Sequence, residues 1–396
     1  MLARPPRAPH ICARCLSRQR RLYTSAPAAD PSTPLPASRA ANLTTRRLIS
    51  LHGSEAPKFL QGIITNHVRP DSRAGFYAAF LTAPGKVLND VFIYPTLGSS
   101  WHQTAHGGDG EQQQQQGFLV EVDAETAELL LRHVKKHKLR SKFKLRMLEE
   151  GELDVWSKWS EDERWTAHTQ GPSASFEKGV LGMVDCRAPG LGQRMLLPRS
   201  SQHGVPAELE ADEAGLEAYA LRRYLRGVPE GQREIPRDES LPMNCNLDLM
   251  GAIDFKKGCY IGQELTIRTH HTGVVRRRML PVRLYARGEE APRRLEEGVG
   301  MTELGNRVEG GSEIRRDDKR KRATGKLVAS VGDVGLGMCR LEQMSDLTIS
   351  GEGSSFSPED KFLVQDGDGR EVGVKAFVPD WMRGRIREPK IQRRVE

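Results

Sequence analysis

Read from residue 43 onward, the apolar positions alternate between strand-like runs and two helical periods. The stretch "LISLHGSEAPKFLQGIITN" predicts a short strand followed by a helix, with Ser54 as N-cap and Pro57 in the first turn, where a missing N–H is tolerated. "FYAAFLTAPGKVLNDVFIYP" holds two apolar runs separated by "APGK", the pattern of a β-hairpin. "VDAETAELLLRHVKKHKLRSKFKL" predicts a helix capped by Asp123, with Leu129, Leu130 and Val134 on its apolar face. "LEAYALRRYLRGVPEG" predicts a second helix, with Leu216, Ala220, Tyr224 and Leu225 on one side and Gly227 and Pro229 ending it. After Met279 the period becomes β: "MLPVRLYA", "GKLVASVGDVGLGMCRLE", "KFLVQD" and "VGVKAFVP" lie between glycine-rich turns, as in a small barrel. The pattern therefore predicts an α+β chain, with a mixed body at 43–278 and a β-barrel at 279–396.

The polar stretches divide the rest. Residues 24–42 are rich in Pro, Ala and Ser and read as a flexible linker. Residues 96–117 include five consecutive glutamines and read as a low-complexity surface insertion. A charged insertion at 286–322 interrupts the barrel pattern. No run approaches the roughly 18 apolar residues of a membrane span.

Charge changes the picture mainly at the N-terminus. Residues 1–29 carry six arginines and no acidic residue, which predicts a mitochondrial transit peptide at 1–23, cut after Tyr23. The chain has 60 basic and 52 acidic residues, and without those six arginines 54 basic residues remain, a balance of about +2. A nucleic-acid partner is accordingly not expected. The cationic run from Arg132 to Lys144 could form an RNA or phosphate patch. It equally suits the C-terminal end of a helix dipole, and only Phe143 interleaves it.

Of the six cysteines, Cys12 and Cys15 form a C-x-x-C pair inside the predicted leader, and the other four have no ligand spacing. Free thiols in a reducing compartment fit better than a disulfide framework. Cys259 stands out in "KGCYIGQE", residues 257–264. A helix over 260–269 would place Cys259 at its N-terminus, where free N–H groups and Lys257 favour a thiolate. Gly258 would allow unusual backbone angles, Gly262 close approach, and Gln263 and Glu264 could orient a polar ligand. The local chemistry leaves Cys259 open as nucleophile, metal ligand, redox thiol or small apolar residue. One cysteine cannot hold an iron–sulfur cluster alone.

"KGCYIGQE" after "NLD", preceded in order by "FLQGIITN", "GKVLNDVFIY", "LRSKFKL" and "YALRRYLRGVPEG", resembles the folate-binding, glycine-cleavage T-protein-like proteins that assist iron–sulfur cluster assembly. The likeness covers residues 43–285, with a weaker match at 323–378. It implies a T-protein-like body of interlocked subdomains followed by a C-terminal β-barrel. It also implies a matrix protein acting late in cluster biogenesis, with A-type iron–sulfur scaffold proteins as partners. The implied clients are [4Fe–4S] apo-proteins of the aconitase and radical-SAM types. Cys259 matches the family's signature cysteine, implying a transient cluster ligand shared with a partner or a redox thiol. The motif's Lys257, Gly258, Tyr260, Gly262, Gln263 and Glu264, together with Asn244, form the implied binding set. Tetrahydrofolate is the other implied cofactor: the T-protein's catalytic acid falls on Asp90, making folate-dependent aminomethyl transfer the alternative activity. Asn89 stands where the family has a first aspartate, and Asn244 where relatives carry an acid; an amide loses the charge-assisted bond.

Overall fold

A computed structural model describes residues 38–69, 72–106, 114–160, 181–199, 204–295, 304–318, 322–350 and 354–386. The predicted transit peptide, with Cys12 and Cys15, lies outside them, as do the glutamines at 112 and 113. The described residues all fall within one compact unit.

The body contains two five-stranded sheets. The first is ordered β3-β4-β5-β2-β6, from β2 (Arg46–His52), β3 (Phe76–Leu81), β4 (Val87–Pro95), β5 (Gly117–Asp123) and β6 (Lys144–Met147). Strands β3 and β4 are the expected hairpin, closed over "APGK" by the Thr82 N–H donating to the Lys86 carbonyl at 2.8 Å. β4 is buried along its whole length, so its near-continuous apolar run is a central strand rather than an amphipathic edge. Helices α1 (Ala56–Ile63), α2 (Ser100–Ala105) and α3 (Ala127–Lys138) belong to this part of the chain. Pro57 sits in the first turn of α1 as predicted. The N-cap is Glu55 rather than Ser54, and it makes no side-chain cap. Asp123 accepts from the Glu125 N–H and caps the turn leading into α3. The buried face of α3 is Ala127, Leu130, Leu131 and Val134, so Leu131 replaces the predicted Leu129, which is exposed.

The second sheet is ordered β10-β1-β7-β9-β8, from β1 (Arg39–Asn42), β7 (Asp154–Trp159), β8 (Leu181–Val184), β9 (Gln193–Leu197) and β10 (Asp212–Glu213). β1 corrects the predicted linker: Ala40 and Ala41 are fully buried, and the strand pairs with β7 and β10. Small side chains fit there without giving the sequence an apolar run. Helix α4 (Leu216–Tyr224) follows. Its buried residues are Tyr219, Arg222, Arg223 and Tyr224, while Leu216 is exposed, so its inward face is largely polar rather than the apolar stripe expected.

Helix α5 (Gln263–Thr272) leads to the barrel, a closed ring β11-β14-β13-β12-β15-β16. Its strands are β11 (Arg277–Ala286), β12 (Glu313–Arg316), β13 (Ala323–Val331), β14 (Val334–Arg340), β15 (Phe362–Gln365) and β16 (Glu371–Ala376). Its core includes Leu280, Val282, Ile314, Leu327, Phe362 and Val374. Two predicted insertions turn out to carry structure. β12 lies inside the charged stretch 286–322 and is needed to close the ring. α2 lies inside 96–117, with Ser99 as its N-cap and His102 buried. The alternating charges of β12 obscured its one fully buried side chain, Ile314.

Candidate functional site: the Cys259 loop and the buried ionic cluster

Two sequence stretches 190 residues apart form one structure. Thr65 Oγ1 donates to the Ala252 carbonyl at 2.7 Å, and Asn66 Nδ2 to that of Gly251 at 2.9 Å. The Asp254 N–H donates to the Thr65 carbonyl at 3.1 Å, and that of Ile261 to Gly62 at 3.2 Å. Lys257 Nζ donates to the carbonyls of Gln61, Ile64 and Asn66 at 2.8, 2.6 and 2.9 Å. Gln61 to Asn66 span the end of α1 and the residues just after it, where helix carbonyls lack intrahelical partners. A cation with three donors satisfies them. Lys257 also lies 4.9 Å from the centre of the Tyr260 ring. Burial pushes its ammonium down to about 8, with Asp254 opposing.

This corrects the role expected of Lys257. Its ammonium is committed to three carbonyls and clamps the loop, rather than serving as the counter-ion of a thiolate. The helix also starts later than predicted. Gly262 is the N-cap at φ 81°, outside α5, so Cys259 lies four residues before the first helical residue. A Cβ on Gly262 would fall 2.2 Å from the Thr82 carbonyl oxygen. This is the close approach expected of that glycine, made to the β3–β4 turn. Gln263 Oε1 accepts from the Tyr260 N–H at 3.3 Å, so the side chain read as a ligand orienter secures the loop. Tyr260 is buried, while Glu264 is exposed in the first turn of α5.

Gly258 behaves differently from expectation. Its φ is not positive, and a Cβ added there would meet nothing within 4 Å. Neither backbone conformation nor packing demands glycine. Gly258 and Cys259 are both exposed, between the anchored Lys257 and the buried Tyr260. The other free cysteines among the described residues are not comparable. Cys186 is half-buried, with burial pushing its thiol up to about 11. Cys245 and Cys339 are fully buried, and burial pushes both to about 12. Cys245 is thus a core residue.

Asp90 sits in another environment. It is 0% exposed, with Oδ1 accepting from the Gly231 N–H at 3.1 Å and Oδ2 from the Tyr77 hydroxyl at 3.4 Å. Arg46 lies 3.8 Å away. Burial raises its pKa, Arg46 opposes, and Glu230 adds to the rise. Asp90 belongs to a cluster between the two sheets that the sequence reading missed. Arg46 Nε donates to Glu121 at 2.8 Å, and Arg194 pairs with Glu121 and, at 3.0 Å, with Glu230. Arg187 pairs with Asp185 at 2.7 Å and Glu230 at 2.8 Å. Tyr94 and Tyr219 donate to Glu121 and Glu230 at 2.7 Å each. The Phe92 ring lies 3.9 Å from the Arg194 guanidinium carbon. Burial alone would raise Glu121 and Glu230, but the guanidiniums overcome it and hold both below the ordinary carboxylate range.

Asn89 is also fully buried, donating to Thr126 at 2.8 Å and accepting from Arg237. Asn244, half-buried, accepts the Met279 N–H through its carbonyl at 2.9 Å. Both Asp90 oxygens face the protein's own donors, and neither Asn89 nor Asn244 brings it an approachable charged partner. The structure also does not bring Asp90 and Cys259 into one site: one is enclosed by the network, the other lies on an exposed loop.

The comparisons agree with this architecture. Residues 276–384 match the family model described as CAF17, C-terminal beta-barrel domain. A mitochondrial iron–sulfur cluster assembly factor IBA57 homolog of Aspergillus fumigatus is 43% identical, over 95% of this chain and 90% of that protein. A homolog of the same name from Pyricularia oryzae is 44% identical, over 96% and 93%. The glycine cleavage system aminomethyltransferase T of Bartonella henselae superposes with a TM-score of 0.57 at 12% identity, covering 88% of this chain and 87% of that one. That likeness carries the T-protein-like fold alone.

Proposed function

Because the chain belongs to the family of mitochondrial IBA57-type iron–sulfur cluster assembly factors, we propose that it assists iron–sulfur cluster assembly in mitochondria, with Cys259 as the working residue. The observation that carries the assignment to Cys259 is its display. It is the exposed free cysteine among the described residues, on a loop tied by seven hydrogen bonds to residues 61–66. A thiol positioned this way is open to a partner without local unfolding, and anchoring reduces the ordering cost of docking. A Cβ added at Gly258 would meet nothing within 4 Å, so the chain next to Cys259 is open to a partner.

The finer reading is a matrix protein that receives or completes a [4Fe–4S] cluster with an A-type scaffold protein. Its clients are apo-proteins of the aconitase and radical-SAM types. The cluster is cargo. Cys259 gives up its thiol proton when Sγ bonds iron, and the remaining ligands come from the partner. Lys257, Tyr260, Gly262 and Gln263 hold the loop, and no step runs through Asp90 or a folate.

The test is anaerobic mixing of the protein with a cluster-loaded A-type scaffold, followed by absorption and EPR. The proposal expects a changed cluster spectrum with wild type, absent with Cys259→Ser. Identical spectra from both proteins would overturn the thiol's role.

A further inference from the structure

Away from the Cys259 loop, three histidines converge at one end of the first sheet. His52 ends β2, His102 lies in α2, and His106 follows one turn later at the C-cap of α2. We propose that His52, His102 and His106 form a binding site for a divalent transition-metal cation of the zinc type.

Their candidate ligand atoms all lie within 4.8 Å of one another. The spacing His102-x-x-x-His106 puts two imidazoles on one helix face, and a strand supplies the third, a common way of building such a site. Thr96 Oγ1 lies 2.8 Å from His102 Nδ1. That contact holds the ring in place, the role an outer hydrogen bond plays around histidine ligands. Gly117, opposite His52 in the β2–β5 register, makes room for the arrangement. A Cβ there would fall 2.4 Å from Thr96 Oγ1 and 3.0 Å from His102 Nδ1.

His106 Nε2 is buried without a hydrogen-bond partner. A histidine placed only for packing has no reason to leave that atom unsatisfied, and a metal bond would satisfy it. The rings of His52 and His106 stack with centroids 3.7 Å apart and planes 9° apart. Nitrogens in a tetrahedral site with bonds of about 2.0–2.1 Å lie roughly 3.3 Å apart, so binding draws the three together and splays the stacked pair. Three nitrogens leave a fourth position for water or a small ligand. A bound ion would clip α2, in the connection between β4 and β5, to the end of β2.

The probe is cobalt(II), then zinc(II), added to chelator-treated full-length protein and to Cys259→Ser. The expected result is one equivalent of cobalt with visible d–d absorption typical of tetrahedral nitrogen coordination. It should lack sulfur-to-cobalt charge transfer, which separates this site from Cys12, Cys15 and Cys259. Zinc should displace the cobalt and raise the melting temperature. His106→Gln, at a half-buried helix end where folding should survive, should weaken binding at least tenfold and abolish the zinc-dependent thermal shift. His52→Gln should do the same. Absence of binding by folded wild type, a spectrum carrying only sulfur charge transfer, or affinity unchanged in both variants would overturn the site.

Discussion

The cluster between the sheets and the loop at Cys259 use charge in opposite ways. Around Glu121, three guanidiniums and four carboxyl groups are enclosed, each salt-bridged side chain at most 5% exposed. At the loop, one ammonium is committed to backbone carbonyls, and the thiol beyond it is left exposed. The first region is rich in charged residue types, and its salt bridges join the two sheets. The second has few polar groups and presents the one accessible nucleophile among the described cysteines. Density of charge alone therefore does not single out a site in this molecule. The role proposed for Cys259 rests on access and anchoring instead.

The comparison breaks most visibly at the joint. Glu121→Gln leaves Arg46 and Arg194 with an uncompensated buried charge and should cost about 3–5 kcal/mol. Urea unfolding should show it as a lower midpoint. Reactivity of Cys259 toward a thiol reagent in the remaining folded protein should be unchanged.

The loop should respond in the reverse sense. Lys257→Met removes three hydrogen bonds from a charged donor and leaves carbonyls unsatisfied, which should cost about 1–3 kcal/mol. Hydrogen exchange should rise around 256–262 and cluster transfer should fall. Gly262→Ala should destabilise through its φ of 81° and its contact with Thr82, whereas Gly258→Ala should leave the melting temperature unaltered. If a partner's backbone approaches Gly258, the second variant should still weaken transfer, separating display from stability.

Asp90→Asn should have a smaller effect than Glu121→Gln, because burial opposes the charge on Asp90 whereas the guanidiniums favour the charge on Glu121. The pH dependence distinguishes the carboxyl groups. Glu121 and Glu230, held low, contribute stability that is present above their unfolded pKa and lost as pH falls through their folded values. Asp90, held high, works in the opposite direction. Wild type should lose stability relative to Asp90→Asn as pH rises from about 4 through the elevated pKa. Denaturant midpoints of both proteins across that range measure the difference.

Much of the fold was legible because it rests on local periodicity. The hairpin around "APGK", the helix capped near Asp123 and the barrel after Met279 each follow from short-range patterns. What was not legible depends on distant partners. Nothing near Arg46 or Arg194 in the sequence marks a buried ion pair, because their acceptor Glu121 lies 75 and 73 residues away. β1 and β12 were hidden because Ala40, Ala41 and a lone Ile314 give no strand-like run. At the candidate site, Cys259 was legible through its motif but its setting was not. A sequence places Lys257 beside a thiol; only the fold shows the ammonium turned to the end of α1. The start of α5 was missed for a local reason, since Gly262 at positive φ must lie outside the helix.

The central claim is that Cys259 acts because it is displayed, without any role in holding the fold. Its most direct test is complementation of cells lacking the endogenous factor with wild type or Cys259→Ser, assaying a mitochondrial [4Fe–4S] enzyme at matched protein levels. The account predicts that the variant accumulates and melts like wild type while enzyme activity stays at the level of the deficient cell. Full restoration by Cys259→Ser would contradict it.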